Sequence, residues 1–361
     1  MIQQRFHLWI ILKMKWRANK FMKLLVTGGA GFIGSNFIHY WLKEHPEDEI
    51  FNVDKLTYAG NLENLEALEN SQRYKFIKAD ICDFEAMKTA MRGVNVVVNF
   101  AAESHNDRAV LDPGIFVRTN VLGTQILLES ARQTGVKRFH HVSTCEVFGD
   151  LALDDARSFK EDDSYAPRTP YNASKAGANH EVMAYFHTFG MPVTISHCCN
   201  NYGPYQFPEK LVPLFVTNAI EDKNLPLFKS SGNRREWIHV DDHARGIDAI
   251  LQKGKIGEAY NIGTGVEKNI DEMTDIILET LSKPQSLKTY VPDRLGHDRR
   301  YLLDCSKIKR EFGWEPKIKF EDGLKQTIEW YKDNGEWWKR VKSGDYQTYY
   351  DEYYKKKIGK L

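Results

Sequence analysis

The run Lys23-Leu24-Leu25-Val26-Thr27 is short and apolar, and it ends abruptly in Gly28-Gly29-Ala30-Gly31-Phe32-Ile33-Gly34. No other feature limits the fold so tightly. Such a run reads as a strand buried on both faces. Glycines at i, i+3 and i+6 let the chain turn tightly into a helix packed close to that strand. The helix is expected over 32–44, with Phe32, Ile33, Phe37, Ile38 and Leu42 near helical spacing. Further strands are expected at 49–53, 74–78, 94–99, 138–143 and 193–197, with helices at 84–91, 117–134 and 172–189 between them. This alternation predicts an α/β fold, a doubly wound parallel sheet with helices on both faces.

After Asn201 the pattern loosens, and Pro204, Pro208, Pro213 and Pro226 punctuate it. A short strand at 225–228 and helices at 270–281 and 320–334 suggest a smaller mixed C-terminal domain that contributes a substrate cleft. The expected division is a sheet domain over 23–200 and a substrate domain over 201–236 and 263–361. Segments 237–251 and 259–262, within 237–262, are candidates to return to the sheet. The aromatic, charged tail over 337–354 reads as a surface helix. Residues 1–22 read as a disordered extension or the product of an upstream start. Their apolar run Leu8 to Leu12 is far shorter than the roughly 20 residues that cross a bilayer.

The formal net charge is +1, which gives no broad electrostatic case for nucleic acid or membrane as a partner. The five cysteines show no CxxC pair and no zinc-type spacing, so no metal is expected. Scattered and odd in number, they suit a reducing, cytoplasmic setting.

The glycine turn has a chemical reading as well. Backbone amides at such a helix N-terminus take a pyrophosphate, so a dinucleotide is the expected ligand. Asp54 stands twenty residues beyond Gly34 at a strand end. A carboxylate there accepts from both ribose hydroxyls and repels a 2′-phosphate, favouring NAD over NADP, and Lys55 softens that preference. Asp80-Ile81 closes another strand region, where Asp80 either reaches the adenine or caps the 84–91 helix.

Tyr171 and Lys175, four apart on an expected helix, share one face. A phenol of pKa about 10 is a poor base at neutral pH, and a neighbouring ammonium brings its phenolate into range. Upstream, Ser143-Thr144-Cys145-Glu146-Val147-Phe148-Gly149 offers Thr144 as a hydroxyl partner and Glu146 as a base for a carbon acid.

From Lys23 to about Tyr354 the chain resembles the extended short-chain dehydrogenases, and within them the dTDP-glucose 4,6-dehydratases. The likeness lies in the glycine loop, in Asn52-Val53-Asp54-Lys55-Leu56-Thr57-Tyr58-Ala59-Gly60 and in Phe100-Ala101-Ala102-Glu103-Ser104-His105. It continues through Asn200 to Leu211 and Asp293 to Tyr301. The resemblance implies a Rossmann-type domain holding NAD through Gly28, Gly31, Phe32, Ile33, Gly34, Asp54 and Lys55. Thr57, Gly60, Asp80, Ile81, Ala101, Ala102, Tyr171 and Lys175 would complete that site.

It implies a reaction too. Tyr171 takes the 4-hydroxyl proton of a nucleotide sugar as hydride leaves C4, Glu146 takes the C5 proton, and water leaves C6 before hydride returns there. Cys145 stands where the family usually has the aspartate that protonates the departing hydroxyl. It is read as a direct donor, as a bystander to a Glu146 shuttle, as a sign of a 5,6-alkene product, or as a packed residue. On the substrate side, Arg235 and Arg294 would clamp the diphosphate, with Asn201, Lys210, Leu211, Asn269 and His297 around it. Pro226 and Phe228 would flank the base, and Glu103 and Ser104 the sugar. A homodimer built by the 117–134 and 172–189 helices is implied. Glucose on dTDP is the expected substrate, against UDP-N-acetylglucosamine or UDP-glucose. A 4-epimerase and a non-catalytic NAD-binding regulator are the more distant readings.

Overall fold

The computed structural model describes residues 21–293 and 296–343. The expected extension therefore lies outside the described residues, except for Phe21 and Met22.

Seven strands form one parallel sheet: β1 (Lys23–Thr27), β2 (Glu49–Asp54), β3 (Tyr74–Lys78), β4 (Val96–Asn99), β5 (Arg138–Thr144), β6 (Val193–Cys198) and, after three intervening segments, β10 (Glu258–Ile262). Their spatial order is β10-β6-β5-β4-β1-β2-β3. Chain order reverses between β1 and β4, so a crevice opens there at the carboxyl ends of the strands. Alternation along each strand feeds two cores. Leu24, Val26, Val96 and Val98 pack on one face with Phe37 and Trp41, while Leu25 and Val97 pack on the other with Leu127 and Leu128. Burial on both faces is why these strands read as continuous apolar runs.

A third core gathers Val212, Phe215, Leu225, Leu227, Ile277 and Leu324 in the C-terminal half. Two small sheets frame it. One joins β7 (Asn200–Tyr202), β9 (Arg234–His239) and β11 (Glu267–Asn269); the other pairs β8 (Leu225–Phe228) with β12 (Lys288–Val291). Segment 237–262 is thus split. Trp237 to His239 belong to a small sheet, whereas β10 pairs with β6 at the edge of the large one. The helix Val240–Lys253 between them lies against Phe32–Glu44, where Tyr40 donates to Asp248 at 2.9 Å.

The tail differs from expectation. Gly335–Val341 is a helix, but Trp337 and Trp338 are buried, and the Trp337 indole donates to Asn64 Oδ1 at 3.0 Å. Two indoles offer too much apolar area to leave in water, and they pack into the C-terminal core. The rest of that tail lies outside the described residues.

Candidate active site

The crevice holds a cavity of about 340 Å³ that runs from the glycine loop to Lys210. Three glycines shape its near end. Gly28 has φ +69°, and a Cβ there would meet the Ala101 backbone at 2.7 Å. A Cβ on Gly34 would strike Gly28 O at 2.4 Å. At Gly31 it would meet only Gly28 O, at 3.3 Å, so what a side chain would chiefly fill there is the cavity. Phe32 and Ile33 open the helix and line the same end. The cradle fits a pyrophosphate that needs bare backbone.

Asp54 ends β2 on the cavity wall, its carboxylate accepting from the amides of Ala30 at 3.0 Å and Leu56 at 2.8 Å. Burial pushes its pKa up against those two bonds. Lys55 pairs with Asp80 at 2.8 Å. Burial alone would raise Asp80, but Lys55 and the Cys82 amide outweigh it and leave the carboxyl below its usual range. The cap of the Phe84–Ala90 helix is Asp83, which accepts from Ala86 N at 3.0 Å; Asp80 faces the cavity with Ile81. Thr57, Gly60, Ala101 and Ala102 line it too.

At the middle of the cavity the ends of β5 and of the Pro170–Phe189 helix converge. Thr169 caps that helix by accepting from Asn172 N at 3.2 Å, with Pro170 at its first position, and Gly190 closes it at φ +65°. The helix therefore starts where Tyr171 and Lys175 both reach the cavity. Burial raises Tyr171 well above the usual phenol range, helped by Glu146, Cys198 and Cys145 and opposed by a hydrogen bond to Thr144. Burial lowers Lys175 to about 8. Thr144 also caps the short turn Cys145–Phe148, accepting from Glu146 N at 3.2 Å. Glu146 turns its carboxylate into the cavity, where Asn106 donates to Oε2 at 3.0 Å and Thr169 Oγ1 fixes Asn106 at 2.7 Å.

Cys145 is not brought to the cavity. Its thiol is buried among core residues, and burial, with Glu146 nearby, raises its pKa well above the usual thiol range. On a short turn, adjacent residues point apart, and Glu146 takes the open side.

Of the expected substrate residues, Glu103, Ser104, Asn201 and Lys210 line the far end, where Lys210 Nζ donates to Ser104 O at 3.0 Å. The other described ones do not line it. Leu211 starts the Leu211–Ile220 helix, and Asn269 caps Ile270–Thr280 in a reciprocal box with Glu272. Pro226 and Phe228 lie in β8, with Phe228 edge-on to His297 at 5.3 Å and His297 Nδ1 2.9 Å from Ser230 Oγ. Arg235 is buried under the Tyr301 ring and donates to the carbonyls of Arg234, Asp298 and Arg299. Arg294 lies outside the described residues. Sequence reasoning missed Asn106, Gln206, Phe207 and Glu209, the last pairing with Arg108 at 3.1 Å. Glu209 adjoins the recognised Lys210. Asn106 had no signal, since it is 40 positions from Glu146.

A parallel sheet with this strand order, a glycine cradle at its switch point and a Tyr/Lys pair beside it define a dinucleotide-binding enzyme of the short-chain dehydrogenase type. Comparison with known proteins narrows the class. Residues 25–327 match the family model described as GDP-mannose 4,6 dehydratase. The chain is 46% identical over 358 residues to the dTDP-glucose 4,6-dehydratase of Escherichia coli, covering 92% of this chain and 99% of that one. The solved dTDP-glucose 4,6-dehydratase of Streptomyces venezuelae, with NAD bound, is 48% identical with a TM-score of 0.86, over 89% of this chain and all of that one. The Bacillus anthracis enzyme in complex with NAD gives 46%, 0.83, and 89% and 99% coverage. The chain belongs to the dTDP-glucose 4,6-dehydratase family.

Proposed function

We propose that this protein dehydrates dTDP-glucose to dTDP-4-keto-6-deoxyglucose with NAD as a recycled cofactor. The observation that carries the reading is that Tyr171, Lys175 and Glu146 share one cavity with the glycine cradle and Asp54. A 4-epimerase needs the first two but has no use for a carboxylate held into the cavity.

Bound NAD would supply the hydride acceptor for C4 and return that hydride to C6. Gly28, Gly31, Phe32, Ile33 and Gly34 would hold its pyrophosphate, with Asp54, Lys55, Thr57 and Gly60 at the ribose and Asp80 and Ile81 toward the adenine. Tyr171 takes the 4-hydroxyl proton, with Thr144 bonded to the same oxygen. The resulting ketone acidifies C5, and Glu146, oriented by Asn106, removes its proton and passes it to the 6-hydroxyl, which leaves as water. Glu103, Ser104, Asn201 and Lys210 hold the sugar and phosphates. Arg235, Arg294, Asn269, Leu211, His297, Pro226 and Phe228 belong to the nucleotide end, within a substrate domain of 201–236 and 263–361.

No helix among the described residues is long and apolar enough to cross a membrane. All five cysteines are free, which supports a cytoplasmic protein. We infer a homodimer from Leu111, Val117 and Leu122, which are 70%, 57% and 45% exposed along one short segment. The test of function is mass spectrometry of the products from a panel of dTDP- and UDP-sugars, followed by NMR. Loss of one water with a 6-methyl signal supports the reading. A product of unchanged mass, or no turnover of any sugar, refutes it.

A further inference from the structure

The helix Gly335–Val341 reaches back to the glycine cradle through one buried side chain. The Trp337 indole donates to Asn64 Oδ1 at 3.0 Å, and Asn64 Nδ2 donates to Ala30 O at 3.0 Å. Ala30 is the cradle residue between Gly29 and Gly31. Its carbonyl also accepts from Asn61 N at 2.9 Å, and its own N–H donates to Asp54 Oδ2 at 3.0 Å. The next amide, Gly31 N, donates to Gly28 O at 3.2 Å. Both polar groups of the planar Ala30–Gly31 peptide are thus fixed, and with them the turn on which a pyrophosphate would rest. Asn64 is anchored at its carbonyl as well, which accepts from His39 Nε2 at 2.7 Å on the helix Phe32–Glu44 that the cradle opens.

The orientation of the Asn64 amide follows from its partners. An indole N–H can only donate and a backbone carbonyl can only accept, so the amide oxygen faces Trp337 and the nitrogen faces Ala30. Asn64 is 2% exposed, and among the described residues the indole is the partner of its Oδ1. Without that N–H the oxygen is a stranded acceptor in a dry site. Turning the amide to relieve it gives up the bond to Ala30. Trp337 itself is held edge-on by Trp330 at 5.2 Å and Tyr205 at 5.9 Å, which keeps its N–H aimed. The nearby Arg340–Glu63 pair is exposed and adds little.

We propose that Trp337 is a positioning residue for the cofactor: through Asn64 it holds the Ala30–Gly31 turn in its binding shape and so slows the escape of NAD. This rests on the reading of the cradle as the NAD site. An enzyme that hands its hydride back in every turnover has no need to exchange its dinucleotide. A cradle already in shape also loses less freedom when the ligand arrives. The helix responsible lies beyond residue 327, where the match to the family model ends.

The test is the rate at which the NAD-loaded protein exchanges its cofactor for isotopically labelled NAD, read by mass spectrometry after rapid gel filtration. Trp337→Phe keeps a ring in the aromatic cluster and removes the N–H. Asn64→Leu keeps the shape of the relay and removes its side-chain bonds. Exchange should be about tenfold faster in either variant. The double variant should be no faster than Asn64→Leu, because the two groups act in series. An unchanged rate in Trp337→Phe overturns the proposal, and so do effects that multiply, since the indole would then act by a route other than Asn64. A merely structural Trp337 would lower the urea midpoint and leave the exchange rate of the folded protein where it was. Gly31→Val separates the proposal from the reading beneath it. If that variant still retains NAD, the cradle is not the site; if it loses NAD while Trp337→Phe exchanges normally, only the role of Trp337 fails.

Discussion

Glu146 has one carboxylate oxygen held by Asn106 and opens onto the cavity. Glu146→Gln should keep that geometry while removing the base, lowering kcat by about 10²–10⁴-fold. Solvent-deuterium incorporation at C5 should fall with it, while NAD stays bound. Cys145 gives the opposite expectation, because its thiol packs in the core. Cys145→Ala should cost about 1 kcal/mol in urea unfolding, a deletion of methyl size, and leave turnover within a few-fold. A change of product instead would place the thiol in the chemistry. Asp54→Ala should relax the choice of cofactor, read as a smaller ratio of NAD to NADP affinity. At this scale the sequence was legible where partners are neighbours in the chain, as with Tyr171 and Lys175 or the glycine cradle. It was silent where they are not. The approach of Asn106 to Glu146 depends on how strands and loops are laid side by side, which no local spacing encodes.

At the level of elements, Glu236 on β9 accepts three backbone N–H groups: Thr264 at 2.6 Å, Gly265 at 2.7 Å and Leu303 at 3.0 Å. Gly263 makes room for it, since a Cβ there would lie 2.3 Å from Oε1. One side chain thus ties β9 to the loop after β10 and to residue 303. Glu236→Ala would strand those amides in a dry interior and should destabilise the fold by about 3 kcal/mol or more, measured by denaturant unfolding. The central strands and the long helices were legible because burial on both faces and helical spacing leave strong periodic marks. Of the small sheets β8 was legible at 225–228, but β7 and β11 were not, since they are three residues each and are defined by tertiary pairing. The Trp337 helix was misjudged for a related reason: its charges suggested a surface, while its two indoles decided its docking.

For the whole molecule, side-chain contacts tie the elements around the large sheet to the C-terminal half beside the cavity. Arg108 pairs with Glu209 and stacks on Tyr58 at 3.8 Å, and Asn36 donates to Pro204 O at 3.0 Å. Ligands that bridge these parts bind only the folded state. Removing NAD should therefore lower the melting temperature, by the equivalent of about 2.7 kcal/mol relative to saturation at a hundredfold excess over Kd. Substituting Val117 and Leu122 together by glutamate should convert the inferred dimer to monomer in sedimentation velocity without abolishing NAD binding. The edge strand β10 carries a consequence of another kind. During synthesis, β6 leaves the ribosome about sixty residues before its partner does, and for that interval its outer backbone groups hang open beside a nascent chain. Translation speed across 199–257 then sets how long that sticky rim is offered to strangers.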